Sequence, residues 1–407
     1  MLSTWDVDGA DALSLAKAFA GRTKPLLRLI GAPYWAGLRN YDEAGLAVVC
    51  EYERLQLHWA TGTGIETMTE GDSHPNNRYN VPAAYAENFD RVLRAAGEGD
   101  GILKYMFYGE GYHRLHLRSR ELHRRIHECF DGRRAVGLTI FEPMKTLALS
   151  HEPGPPEGRC IPASLRFVTD NSLPVRYDAG EDAAVIFGDA AECAGEEQFA
   201  HGAILDAAAA QILTRRGFDV GVTDASTPFF PGSEEFLASG AVGGTSCGRY
   251  RLLRTVPAAE TLSVLHSAAG DAPGACRYEN AKGQRFLVFA FEARHSLQHG
   301  AEQGAMRGWN RAVQVRSQLA WLSGREPDAI CDPAPDLYML VKKSETGLSI
   351  GLWNFSVDEV EIPTIRLNAD WSTLIIHHGG AVLDGRTVTL EPLPAFGCAF
   401  FTLHNEP

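Results

Sequence analysis

Two stretches constrain this chain more than any others: residues 65–80 (IETMTEGDSHPNNRYN) and residues 101–113 (GILKYMFYGEGYH). Each begins as an apolar strand-like run and ends abruptly in carboxylates, aromatics and hydrogen-bonding side chains, with a helix-patterned segment between them. The final units of a (β/α)8 barrel read this way, with functional groups gathered at the carboxyl ends of the strands. Met1 lies only a few dozen residues upstream, too few for the other barrel strands, so the expectation is the carboxyl-terminal part of a barrel.

Around those stretches the pattern alternates. Helical spacing over 11–20, with Leu13, Ala16 and Phe19 in register and Gly21 as a stop, precedes a buried strand at 25–30 (PLLRLI) that runs into Tyr34 and Trp35. Helices are predicted over 41–57, 82–96 and 115–130, and strands over 65–69 and 102–108; the latter is apolar on both faces apart from Lys104, as in a sheet covered by helices. A strand at 135–143 and a loop rich in proline and glycine at 151–158 lead to a second unit. It opens at 183–187 (AAVIF) and continues as HGAILDAAAAQILTRRGFDVGV over 201–222. There Asp206 can cap a helix whose inner face is Ala209, Ile212 and Leu213, Gly217 ends it, and FDVGV starts the next strand, a βαβ unit. A strand at 285–291 and a helix at 306–322 complete this unit. From Pro333 short strands separated by turns take over, with Asp384-Gly385 as a hairpin signal. The predicted fold class is therefore α/β. Residues 1–180 form a partial (β/α) barrel plus linker, 181–325 a doubly wound α/β domain, and 326–407 a small antiparallel β-sandwich.

The charge balance of −13 argues against a nucleic-acid partner, because affinity for phosphates rests on Lys and Arg. One basic run, residues 114–134, carries seven arginines and reads as a solvated or intersubunit helix face. The eight cysteines contain no CxxC pair, which fits free thiols in a reducing cytoplasm better than a zinc site or a disulfide framework. The first twenty residues hold Asp6, Asp8 and Asp11 and lack the apolar core of a signal peptide, and no eighteen apolar residues run together, so no membrane association is expected.

Glycosidic bond cleavage uses two carboxyl groups flanking the bond. Glu70 stands where the strand at 65–69 runs out, and Asp72, His74, Asn76, Asn77 and Arg78 crowd the same loop. A capped, solvated loop has a similar composition, but the second strand brings Glu110, Tyr112 and His113 to the same end of the sheet. Trp35 and Tyr34 offer flat apolar surfaces for a sugar face or for rim packing. On the helix after Glu110, His116, Arg120, His123 and His127 share one stripe. The His123/His127 pair lacks an obvious third ligand, so no metal and no cofactor is expected. Cys247 in GGTSCGRY follows no apolar strand, and the only downstream His-x-Glu is His404-Asn405-Glu406, so it reads as inert.

The order barrel, α/β domain, β-sandwich resembles glycoside hydrolase family 42 β-galactosidases and relatives in the same clan. HGAILDAAAAQILTRRGFDVGV looks like the signature unit of their glutamine-amidotransferase-like trimerisation domain, and LSIGLWNF with PLPAFGCAFFTL looks like their terminal sandwich. The resemblance implies retaining hydrolysis of a β-linked glycoside or oligosaccharide and a homo-oligomer, a trimer in that family. It implies that Glu70 in TMTEGDSHP is the nucleophile, and that Glu110 and His113 in GEGYH, with Trp35, Asp72 and Asn77, contact substrate. Two departures stand out. The flanking GDSHPNNRYN differs from the β-galactosidase pattern, which leaves the sugar open. The acid/base of the clan follows the fourth barrel strand, whereas Asp6 and Asp8 fall one strand too late. A non-catalytic carbohydrate-binding or oligomerisation protein that kept the fold is the alternative.

Overall fold

The computed structural model describes residues 2–3, 12–29, 45–71, 82–104, 110–148, 162–245, 248–293, 304–332 and 337–405, with the side chains of 2, 3, 12, 71, 104 and 110–113 excepted. The chain is mixed α/β. Four parallel strands, β1 (Leu2–Ser3), β2 (Leu26–Leu29), β3 (Glu66–Gly71) and β4 (Gly101–Lys104), lie in that order in one sheet. Helices α1 (Ala12–Phe19), α2 (Leu46–Ala60) and α3 (Ala83–Ala96) link them in turn. Leu27 and Leu29 pack on Leu13 and Ala16 of α1 and on Leu57 and Ala60 of α2, so these two helices cover one face of the sheet. Pro82 caps α3 and Gly97 ends it at φ 66°, a left-handed position natural to glycine.

The helix expected over 115–130 is two helices, α4 (Glu110–Arg118) and α5 (Arg120–Phe130). Ser119 breaks it: its N–H is shared between the Leu115 and His116 carbonyls, and its Oγ donates to Leu115 O at 2.9 Å. Serine back-bonding of this kind bends helices. The arginine-rich face is solvated as expected, with Arg124 bonded to Glu121 and Glu128 at the surface.

A nine-stranded sheet follows. Its parallel part takes in β6 (Leu138–Ile140), β7 (Val175–Arg176), β8 (Ala184–Ile186), β9 (Ala203–Leu205) and the strand Arg285–Phe289; four strands from residues 233–279 extend it antiparallel. Two of these, β6 and β7, come from the segment expected to be a link. The helix Ala207–Arg215 is capped by Asp206 and buries Ala209, Ile212 and Leu213 as expected. The following strand is not: β10 (Val222–Asp224) pairs antiparallel with Arg254–Thr255 in a separate two-stranded sheet. Both edges of β9 are already occupied, by β8 and by Arg285–Phe289, so no place beside it remains for a βαβ partner.

The carboxyl-terminal strands form two antiparallel sheets around one apolar core that includes Leu348, Ile350, Val388 and Phe401. The hairpin at Asp384-Gly385 is present, with Asp384 paired to Thr387. One of these sheets also captures β5 (Arg134–Ala135), which pairs with the strand Leu337–Lys343.

The three parts meet on α2. Arg54, fully buried, donates to Glu51 (2.7 Å) and to Glu98 (2.9 Å) and lies 3.3 Å from the Tyr338 hydroxyl. Tyr177 and Tyr338 both donate to Glu51. Burial, and then the Glu51 charge, push both phenols well above their ordinary pKa. Burial works against the Arg54 charge, but Glu51 and Glu98 more than offset it and hold the guanidinium protonated.

Replacing Arg54 by Met strands the buried Glu51 carboxylate and should lower the unfolding free energy by about 3–5 kcal/mol, read as a lower urea midpoint; an unchanged midpoint contradicts the role given to this network. Asp206 supplies a pH test. Burial raises its carboxyl to about 6, against the opposing donation from the N–H groups of Gly188, Ala209 and Ala293. Between its unfolded pKa of about 3.9 and that value the folded chain keeps a proton that the unfolded chain has lost, so stability falls as pH rises through this window. The non-titrating Asp206→Asn variant is less stable at pH 4, and its deficit should narrow by about 2–3 kcal/mol between pH 4 and pH 7. A deficit constant with pH counts against the raised carboxyl.

Candidate functional site

The parallel register fixes which way the strand side chains point. Leu26 pairs with Glu66 and Arg28 with Met68, so residues 26 and 28 of β2 share a face with 66, 68 and 70 of β3. Leu27 and Leu29 point to the opposite face, into the core formed with α1 and α2. Glu70 therefore projects from the face turned away from those helices, at the carboxyl end of its strand. On β4, Gly101 is the partner of Met68 and Leu103 of Glu70.

Two charged rungs cross this face. At the amino end Lys24 and Glu66 are 3.0 Å apart and exposed. At the carboxyl end Arg28 Nε lies 3.5 Å from Glu70 Oε2, and Glu70 is only 5% exposed. The two ion pairs differ in value by setting: the outer rung is screened by water, whereas the inner pair is held where charge is costly to bury alone. Arg28 balances the Glu70 charge and limits where its carboxylate can sit. A buried carboxylate fixed at the mouth of a parallel sheet can serve as a nucleophile or as an anion stabilising positive charge on a bound group.

Of the residues expected in the site, the side chain of Glu70 alone is described. Glu110 and His113 form the first turn of α4, their side chains lying outside the described residues, as do Trp35, Asp72 and Asn77 altogether. Arg28 was not singled out from the sequence. Its signal was there: a lone arginine in the run PLLRLI, where a strand covered by helices has no place for charge except on the inner face.

Two other polar assemblies lie apart from this face. A cavity of about 580 Å3 lies where α2 and α3 meet the sandwich, lined by His58, Arg94, Arg133, Arg176 and Lys342. Lys342 in it is brought down to about 8 by burial, and its Nζ donates to the Ala95 and Ala96 carbonyls, capping α3. The histidines of the expected stripe separate. His127 turns to that cavity, while His116 and His123 converge on Glu87 and Asp90 of α3.

No protein-family model matches the chain, and no curated protein does. Solved structures do share its fold. An α-L-fucosidase, isoenzyme 2 from Paenibacillus thiaminolyticus, superposes with a TM-score of 0.61 at 11% identity, over 96% of this chain and 66% of that one. A family 42 β-galactosidase from G. stearothermophilus, in a catalytic-mutant form, gives 0.57 at 11% identity over 96% and 61%. The cold-adapted β-galactosidase from Rahnella sp. R3 gives 0.55 at 13% over 96% and 61%. The chain thus has a glycosidase-like fold and spans less than two thirds of the length of these proteins.

Thiol chemistry has little support in the described part of the chain. Burial raises Cys129, Cys276 and Cys331 to about 12 and Cys398 to about 11, and pushes Cys50 well above its ordinary value. Cys247 lies outside the described residues. Iodoacetamide at pH 8 should leave these five thiols unmodified in the native protein and alkylate all of them after denaturation, as read by peptide mass spectrometry. Rapid native alkylation at any of the five contradicts the burial described.

Proposed function

We propose that this chain is the carboxyl-terminal portion of a (β/α)8-barrel glycoside hydrolase that cleaves a β-linked glycoside with retention, using Glu70 as nucleophile. The observation that carries the proposal is the placement of Glu70: buried, at the carboxyl end of a parallel strand, on the face turned away from α1 and α2, with Arg28 beside it. In a closed barrel that face is the interior and that end is the catalytic rim. The fold shared with a fucosidase and β-galactosidases agrees with this chemistry.

In this reading the Glu70 carboxylate attacks the anomeric carbon while an acid protonates the departing oxygen, and water then resolves the glycosyl ester. Arg28 is a positioning residue that keeps the carboxylate on one trajectory. Trp35, Asp72, Asn77, Glu110 and His113 contact the sugar. The second carboxyl must lie about 5 Å from Glu70. Among the described residues β1 and β4 are the edges of the four-stranded sheet, and strands that pair with those edges would carry it. The α/β domain is proposed to assemble the protein as a homotrimer.

A second reading is a carbohydrate-binding or oligomerisation protein that kept the fold and has no turnover, since at 11% identity the likeness to glycosidases is one of fold alone. One set of assays separates the two. The natural polypeptide containing these 407 residues is offered a panel of aryl glycosides, beside Glu70→Gln and Arg28→Lys. The proposal predicts turnover of a β-linked member, a loss of about a thousandfold or more in kcat for Glu70→Gln, and a smaller loss for Arg28→Lys. Unimpaired cleavage by Glu70→Gln overturns the assignment; oligosaccharide binding with no turnover of any member establishes the second reading.

A further inference from the structure

The convergence of His116 and His123 on α3 has a chemistry that neither the fold nor the proposed hydrolysis requires. Glu87 and Asp90, three residues apart on α3, face the same side of that helix and are both buried. His116 comes from α4 and His123 from α5. On one unbroken helix these histidines would be separated by about 10.5 Å of axial rise, yet their ring centroids are 5.1 Å apart. The break at Ser119 folds the two turns toward each other, and Arg91, bonded to both Asn88 Oδ1 and Ser119 Oγ, ties that break to α3.

Four side chains with ligand atoms meet there. His123 Nε2 is 2.8 Å from Glu87 Oε1 and 3.2 Å from Asp90 Oδ2; His116 Nδ1 is 3.3 Å from Glu87 Oε2 and 3.8 Å from Asp90 Oδ2. One ligand atom from each of the four residues lies within 4.8 Å of the others. Four ligands bound at about 2.0–2.2 Å in a tetrahedron lie about 3.4 Å from one another, so the widest pair of groups closes by up to about 1.4 Å to meet on an ion, a shift within the reach of side-chain rotation. Arg94 Nε donates to Asp90 Oδ2 at 2.9 Å, the outer-shell contact that orients a metal-binding carboxylate.

We propose that Glu87, Asp90, His116 and His123 form a structural site for a divalent transition-metal ion of the zinc class. Two imidazoles with two carboxylates suit zinc, whereas calcium and magnesium favour all-oxygen sets. The ion clamps α3, α4 and α5. Since α5 packs on the strands Thr373–His378 and Cys398–His404, the clamp also braces the helical layer against the sandwich. Zinc carries no redox step here, and no group on the Glu70 face takes part.

The test uses the intact chain, stripped with a chelator and desalted. Isothermal titration with zinc chloride should show one equivalent bound at sub-micromolar Kd, with a rise of several degrees in thermal midpoint that the chelator reverses. Cobalt(II) in place of zinc should give the visible absorption of a tetrahedral ion. His116→Ala and Glu87→Gln should each weaken binding at least tenfold, and Glu87→Gln, which keeps a hydrogen-bonding group against His123, serves as the variant least disturbing to the metal-free fold. Failure to retain zinc, no change in midpoint, or equal zinc affinity in the variants overturns the proposal and leaves the cluster as hydrogen-bonded ion pairs.

Discussion

The charge cluster on α2 is the constraint around which the rest is arranged. Glu51 and Arg54 belong to the helix behind the parallel strands, Tyr177 follows β7 of the large sheet, and Tyr338 lies on the first long strand of the sandwich. Such a cluster is worth little as a source of stability compared with apolar side chains of the same size. Its value is directional. The Tyr177 and Tyr338 hydroxyls reach Glu51 together only when all three parts occupy one arrangement, so an apolar interface that could slide is held in one register. The surrounding core is continuous, running from Phe89 and Phe130 of the helices through Phe167 and Phe289 to Trp353 and Phe400. The sheet that carries Glu70 is thereby backed by a large packed body on its helical side, which is what a site needs if its groups are to hold fixed positions.

The opposite face of that sheet has another logic. Alternation sends Leu27 and Leu29 of β2 and Thr67 and Thr69 of β3 to the helical side and the charges to the other, and the charges are graded from the exposed Lys24–Glu66 rung to the buried Arg28–Glu70 rung. That gradient gives the face a chemical direction. The amino end is a solvated edge, and the carboxyl end is a place where a carboxylate is kept in a position of low water access. Hydrolysis of a glycoside by a covalent route asks for such a group.

Local signals in the sequence carried well where the structure is local. The capping of Ala207–Arg215 by Asp206, the Pro82 start of α3 and the Asp384-Gly385 hairpin all depend on neighbours a few residues away. Long-range choices were hidden. That β10 leaves the large sheet depends on Arg285–Phe289 already holding the other edge of β9, some sixty residues later. The bonds from Tyr177 and Tyr338 to Glu51 span 126 and 287 residues. The strands Glu260–Ser267 and Gly270–Glu279 escaped notice because their apolar content is low. At the site, Glu70 was visible as a strand-end acid, while Arg28 and the pairing of His116 with His123 depend on register and on one serine's effect on a helix. Periodicity reports neither.

The central claim is that Glu70 is the group that bonds to the sugar, and trapping that bond tests it most directly. A 2-deoxy-2-fluoro β-glycoside with a good leaving group should inactivate the natural polypeptide containing these 407 residues and add one glycosyl mass to the peptide carrying Glu70. The label should be absent in Glu70→Gln. A glycosyl ester on a different carboxylate, or inactivation unchanged in Glu70→Gln, would contradict the account.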